Sequence, residues 1–191
     1  MSVSIYLESS PNPHSLKFVL NKMIVPEGMS LDFPDLESSK GSPLATEIFT
    51  KFSFIKRVFF MSNFVTLTKE ESIEWDTIKD ELKSFLKDYF DANKSIVVDD
   101  LSINKFTDEI NEDDPEIVKK IKELLAEYVR PGVEDDGGAI KFHSYENGVV
   151  KVLLQGSCNG CAFSTLTLKS GIENLFKRMI PEIESVIAEG V

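Results

Sequence analysis

Residues 95–113 divide this chain in two. Asp99-Asp100, Asn104, Asp108-Glu109 and Asn111-Glu112-Asp113 surround a few scattered apolar residues with no sustained helical or strand periodicity, the composition of a mobile acidic linker. In a chain of 191 residues, a break at that point leaves two segments of the size of small domains rather than one large core. The expected organisation is a first domain over residues 1–94, the linker over 95–113 and a second domain over 114–191.

Each segment mixes strands with helices. In the first, residues 4–7 and 15–20 alternate or run apolar, and Pro11-Asn12-Pro13 forces an extended turn between them. Residues 56–61 and 64–68 make a second strand pair across a tight Ser62-Asn63 turn. Between the pairs, Ser42 caps a helix whose first residue is Pro43 and whose apolar side holds Leu44, Ile48, Phe49 and Phe52. A longer helix over 73–92 carries Trp75, Ile78, Leu82, Phe85, Leu86, Tyr89 and Phe90 on one stripe, suited to covering a sheet.

The second segment opens at Asp114-Pro115-Glu116 with cap, proline and acidic first turn in order. Ile117, Ile121, Leu124, Leu125 and Tyr128 form the stripe of this helix, and Arg130-Pro131 is expected to end it. Strands over 139–145 and 149–155 flank a Glu146-Asn147-Gly148 turn, with Ile140 and Phe142 facing one way and Lys141 and His143 the other. A loop follows over 156–160, then a helix from near Cys161 to Met179, stopped by Pro181, and a last strand over 183–187. The fold class is therefore α+β: two small α+β domains joined by a linker, the C-terminal one ordered α-β-β-α-β.

Charge limits the partners. The net charge is −11, shared as −6 over residues 1–110 and −5 over 111–191, so neither part offers the basic footprint of nucleic-acid binding or of recruitment to an anionic membrane. The longest apolar run, Val58-Phe59-Phe60-Met61, is far short of the roughly 20 residues that span a bilayer. Residues 1–7 lack a basic start and a long apolar stretch, and Glu8 precedes the first basic residue, Lys17, which fits neither a signal peptide nor a transit peptide. The expectation is a cytoplasmic protein; a mitochondrial matrix location requires a presequence outside these residues.

The chemistry lies in Gln155-Gly156-Ser157-Cys158-Asn159-Gly160-Cys161-Ala162, which contains both cysteines of the chain. Two cysteines three apart do not make the framework of a secreted disulfide fold. Gly156 and Gly160 let the backbone bend tightly and approach a ligand. Cys161 falls at the start of a helix, where free N–H groups and the dipole favour thiolate, the form that binds soft metals. The i, i+3 spacing lets both sulfurs face one metal ion or cluster.

Four ligands are usual for zinc or an iron–sulfur cluster, and one chain supplies two thiolates. His14 and His143 lie far away in sequence and read as surface or strand residues. Two chains about a two-fold axis complete the set, which predicts a metal-dependent dimer with an exposed, releasable site. Two rival readings stand beside it: a thioredoxin-like dithiol oxidoreductase with Cys158 as nucleophile and Cys161 as resolving thiol, and an adaptor bridged by structural zinc. Against the first stands the order of elements, since a helix and a hairpin precede the motif. Nothing in the residues separates iron from zinc. Structural burial of the two cysteines fits poorly with so few apolar neighbours in the loop.

Leu154-Gln155-Gly156-Ser157-Cys158-Asn159-Gly160-Cys161-Ala162-Phe163-Ser164, continuing through Leu168-Lys169 and Gly171-Ile172-Glu173, resembles the signature of the NifU C-terminal (Nfu-type) domain. The upstream Arg130-Pro131 and Asp136-Gly137-Gly138 fit the same family at the expected distance. Pro11-Asn12-Pro13, Lys17-Phe18, Ser42-Pro43-Leu44-Ala45, Val58-Phe59-Phe60 and Phe64-Val65-Thr66 are similar to the Nfu N-terminal domain. Departures fall at Ala162, where the family commonly has proline, at Ala139, where aspartate is frequent, and at Met61, where glycine is common.

The resemblance implies a non-enzymatic iron–sulfur cluster scaffold or carrier. It implies that Cys158 and Cys161 hold a 4Fe–4S (or 2Fe–2S) cluster shared across a homodimer, received from donor scaffold proteins and passed to apo-proteins. Asp136-Gly137-Gly138 reads as a turn without a ligand role, and Glu134-Asp135-Asp136 as a solvated acidic face. Ser157 and Ser164 are candidates to hydrogen-bond cluster or cysteine sulfur. The N-terminal domain has no titratable constellation and reads as a protein-docking module.

Overall fold

A computed structural model describes residues 2–26, 28–98, 110–159 and 162–190, with only the backbone of 162–165. The chain divides into two compact units, Met1–Lys105 and Phe106–Val191.

The first unit is a five-stranded antiparallel sheet with two helices. Its strands are β1 (Ile5–Ser9), β2 (Ser15–Leu20), β3 (Ser30–Phe33), β4 (Ile55–Met61) and β5 (Phe64–Lys69), in the order β1-β2-β5-β4-β3. Helix α1 (Pro43–Lys51) precedes β4, and α2 (Trp75–Asp91) follows β5. Strand alternation sends Phe18, Leu20, Val58, Phe60, Val65 and Leu67 into one cluster with Leu44, Ile48, Leu82 and Leu86 of the helices. Each of these ten side chains is at most 1% exposed. The register sets Glu8, Lys17, Thr66, Phe59 and Asp32 in a row across the opposite side of all five strands.

Local signals behave as the sequence predicts. Ser42 accepts a hydrogen bond from the Ala45 N–H at 3.2 Å, and Pro43 occupies the first turn of α1. Met61 pairs with Phe64 across the Ser62-Asn63 turn, with Ser62 at φ 48°. Strand β3 has no counterpart in the sequence reading. It is a four-residue edge strand closed by Pro34, too short for its Leu31/Phe33 alternation to register.

The first residues of the expected linker belong to this unit. Ser42 Oγ donates to the Ile96 carbonyl at 2.5 Å, Tyr89 Oη to that of Ser95 at 2.6 Å, and the Val98 N–H to that of Gly41 at 3.0 Å. Residues 99–109 of the expected linker lie outside the described residues.

The second unit runs α3 (Glu116–Leu124), a π-helical turn (Leu125–Val129), α4 (Arg130–Asp135), β6 (Gly138–Glu146), β7 (Val149–Gly156), α5 (Ala162–Met179) and β8 (Ser185–Gly190). This is the expected α-β-β-α-β order. β6 and β7 are antiparallel; β8 lies parallel to β7 on its other side. Ile121, Leu125, Val133, Ile140, Val150, Val152, Leu154, Ile172, Phe176 and Val186 form its core.

Two details differ from expectation. Arg130-Pro131 does not end the first helix. The wider π turn before it absorbs the disruption: the Arg130 N–H reaches back to the Leu125 carbonyl, and the chain runs on into α4 with Pro131 in its first turn. Ile140 and Phe142 share the core side of β6 as expected, but a register shift follows between Phe142 and Ser144. His143 is exposed at that shift, but Lys141 is buried like Ile140.

Ser42→Ala removes the α1 cap and the donor that holds Ile96. It is expected to lower the stability of the N-terminal unit by about 1–2 kcal/mol, read as a fall in the urea midpoint with an unchanged slope.

Candidate functional site

The cysteine loop sits between β7 and α5, in a crossover that returns to the parallel strand β8. Its entry is set by glycines. At the end of the β6–β7 ladder Gly138 lies opposite Gly156, whose φ is 63°. Ahead of β6, α4 ends in a tight turn in which Gly137 reaches φ 85° and donates its N–H to the Glu134 carbonyl at 3.0 Å. This is the turn role expected of Asp136-Gly137-Gly138.

The loop is braced against that turn. Ser157 Oγ donates to the Asp136 carbonyl at 2.7 Å, and the Ser157 N–H to that of Gly137 at 3.3 Å. One residue on, the Asn159 N–H reaches the Gly156 carbonyl at 3.2 Å. The Asn159 side chain lies so close to the end of β8 that a Cβ built on Gly190 would fall 2.2 Å from Asn159 Oδ1.

Cys158 is not exposed, contrary to expectation. It is 5% accessible and joins the hydrophobic cluster with Ile140, Leu154 and Ile172. A thiol packs as a small apolar group, and Gly138 leaves it room: a Cβ there would fall 2.8 Å from Cys158 Sγ and 2.7 Å from the Gln155 carbonyl oxygen. The scarcity of apolar neighbours in the loop itself misleads, because those neighbours come from β6, β7 and α5. Cys161 and the side chain of Ser164 lie outside the described residues; in sequence Cys161 directly precedes the first residue of α5.

Other candidates fall as follows. Ser157 Oγ is 3.9 Å from Cys158 Sγ, so its short bond to Asp136 makes it a brace for the loop before anything else. Asp135 is exposed, with Glu134 and Asp136 half-buried on either side. His14 lies in the first unit, 3.8 Å from Glu71, and His143 is exposed on β6. Among the described residues, no three His, Cys, Asp or Glu side chains gather as a metal site. Sequence reasoning missed Asn159 and Gly190, which meet only because β8 pairs alongside β7.

Two family descriptions match the chain. "Scaffold protein Nfu/NifU N terminal" covers residues 5–93, and "NifU-like domain" covers residues 121–187, including both cysteines. The chain belongs to the NifU-like (Nfu) family. Among its Nfu relatives is a protein of Drosophila willistoni named "NFU1 iron-sulfur cluster scaffold homolog, mitochondrial". It is 43% identical over 182 residues, covering 95% of this chain and 62% of that protein. The Drosophila persimilis protein of the same name is 44% identical over 97% of this chain and 64% of its own length. "NifU-like protein 4, mitochondrial" of Arabidopsis thaliana is 41% identical over 97% of this chain and 65% of its own. The chain thus spans a little under two thirds of the length of these Nfu relatives.

Helix α5, which carries the loop into the core, is fastened to β8 by Glu173. Its carboxylate accepts from Lys177 Nζ at 2.6 Å and from the Val186 N–H at 3.0 Å. Lys177 first, then the Val186 N–H, holds this carboxyl below its ordinary value of 4.5. A carboxyl lowered by folding stabilises the folded state above its unfolded pKa and loses that contribution as pH falls through the folded value. Wild type is therefore expected to exceed Glu173→Gln in denaturant midpoint at pH 7, with the gap closing below about pH 4.5.

Ser157→Ala leaves the Asp136 carbonyl without this donor. It is expected to lower the thermal midpoint of the second unit, corresponding to about 1–2 kcal/mol.

Proposed function

We propose that this Nfu chain is an iron–sulfur cluster scaffold and carrier: two copies hold one 4Fe–4S cluster through Cys158 and Cys161 of each and deliver it to apo-proteins. The observation that carries the reading is the pair of thiols between β7 and α5, in a chain matching both Nfu domains. Two thiolates per chain are half a cluster's ligand set, so a second copy completes it.

The chemistry is ligand exchange rather than turnover. A thiolate of the receiving protein takes an iron from Cys158 or Cys161, the released cysteine takes up a proton, and repetition moves the cluster across. The cluster is cargo, received from a donor scaffold. The N-terminal unit serves as a docking module. The relatives' names place them in mitochondria; the cytoplasm, like the matrix, keeps thiols reduced, so the chemistry suits either.

A second reading has one observation in its favour. The β7–α5–β8 crossover is a parallel βαβ unit, so the motif does lie between strand and helix as in a dithiol oxidoreductase, and the order of elements argues less strongly against that reading than the sequence suggests. Burial of Cys158 bears on both readings, since an attacking thiol and a cluster ligand must each become accessible; the matches to both Nfu domains favour the carrier. A zinc-bridged adaptor would use the same four thiolates.

Anaerobic reconstitution with iron and sulfide tests the proposal. About four irons and four sulfides per dimer are expected, with both the cluster and the dimer lost in Cys158→Ser. A monomer that takes up no iron and reduces disulfides through Cys158 establishes the oxidoreductase instead, and zinc without sulfide establishes the adaptor.

A further inference from the structure

A sulfur shared with a second chain has to reach the surface, yet Cys158 is packed into the core of the second unit. We propose that Gly138 is a positioning residue: the space it leaves is a niche that shelters the Cys158 thiol in the cluster-free protein, and local release from that niche admits the cluster. The proposal rests on the carrier reading.

Three observations carry it. First, the glycine at 138 answers to space. Gly137 beside it has φ 85°, a conformation that itself favours glycine. Gly138 has no such positive φ and continues β6 as an ordinary strand residue. What a side chain there would meet is the cysteine, at 2.8 Å from Sγ and 3.3 Å from Cβ, and the Gln155 carbonyl at 2.7 Å. All are tighter than a real Cβ tolerates without movement of its neighbours.

Second, the residue before the cysteine is fixed independently of the niche. Ser157 is tied to Asp136 and Gly137 by two hydrogen bonds. Cys158 can therefore turn outward about an anchored base, with β6 and β7 intact.

Third, the residue after it has its own holds: the Asn159 N–H reaches the Gly156 carbonyl at 3.2 Å, and its side chain packs on β8. Asn159 lies against Gly190 at the end of β8, a contact between side chain and backbone at the last residue of an edge strand. The loop opens on this side, when the contact between Asn159 and Gly190 parts. The arrangement keeps one ligand out of reach of oxidants and stray metal until a cluster and a second copy compensate for its loss from the core.

The test uses the full-length Cys161→Ser chain, in which Cys158 is the one remaining thiol. Labelling by a maleimide is followed without cluster, natively and in urea. Native Cys158 is expected to react at least tenfold more slowly than in the unfolded chain, at a rate nearly flat at low urea, the mark of local opening. Labelling within twofold of the unfolded rate overturns the niche. A rate that rises with the full unfolding slope from the lowest urea also overturns it, since release then requires global unfolding.

Gly138→Ala is expected to raise native labelling at least fivefold. With both cysteines present, it is expected to load iron faster than wild type to the same final stoichiometry, a change that general loosening does not produce. Because that substitution also presses on the Gln155 carbonyl, Asn159→Ala serves as the second variant. It leaves β6 untouched and is expected to raise labelling severalfold at an unchanged unfolding midpoint; no rise overturns the assigned side of opening. A protected, locally released Cys158 in a chain that never takes up a cluster sinks the carrier reading alone. A cluster formed by a chain whose Cys158 is unprotected sinks the niche alone.

Discussion

Gly138 facing Gly156 at the end of the β6–β7 ladder fixes how the cysteine loop meets the rest of its unit. Two positions without side chains bring the strand ends close. One permits the backbone to turn at φ 63°, and the other makes room for a sulfur. From that meeting follow the bracing of Ser157 by the preceding turn, the inclusion of Cys158 in the core, and the placement of Asn159 beside the end of β8. Larger residues at this pair would push the loop outward and open a cavity beneath it.

The two units solve the same packing problem with different resources. The first covers one side of a five-stranded antiparallel sheet with α1 and α2 and fills the interface with large side chains, Phe18 and Phe60 among them. The second has three strands and draws on a smaller set of aliphatic residues around Phe176. Among the described residues, each core cluster draws on its own unit. In the smaller core a buried cysteine occupies a larger share of the packing, so Cys158 and the stability of its own domain are linked.

Much of this was legible in the residues. Ser42-Pro43 announced α1 with its cap, the seven-residue stripe from Trp75 to Phe90 announced α2, and the strand–loop–helix setting of the two cysteines was readable from glycines and periodicity. These are signals between neighbours in sequence. Strand β3 failed to register because four residues carry too little alternation. Passage of the first helix through Pro131 was hidden because proline ordinarily terminates a helix and a π turn leaves no compositional mark. Burial of Cys158 was hidden for a different reason: the core cluster it joins draws on β6, β7 and α5, with Ile140, Leu154 and Ile172 among its members, and only strand register and the crossover bring these together.

The π turn ties helix length to the cysteine loop. Leu125–Val129 absorbs one residue more than a regular turn would, so the chain beyond it keeps a bearing that a plain helix of the same length would turn by about 100°. In such a regular helix the Asp136 carbonyl would face away from Ser157, whose hydroxyl it now receives at 2.7 Å. The bulge, though it carries neither cysteine, is therefore part of what positions their loop.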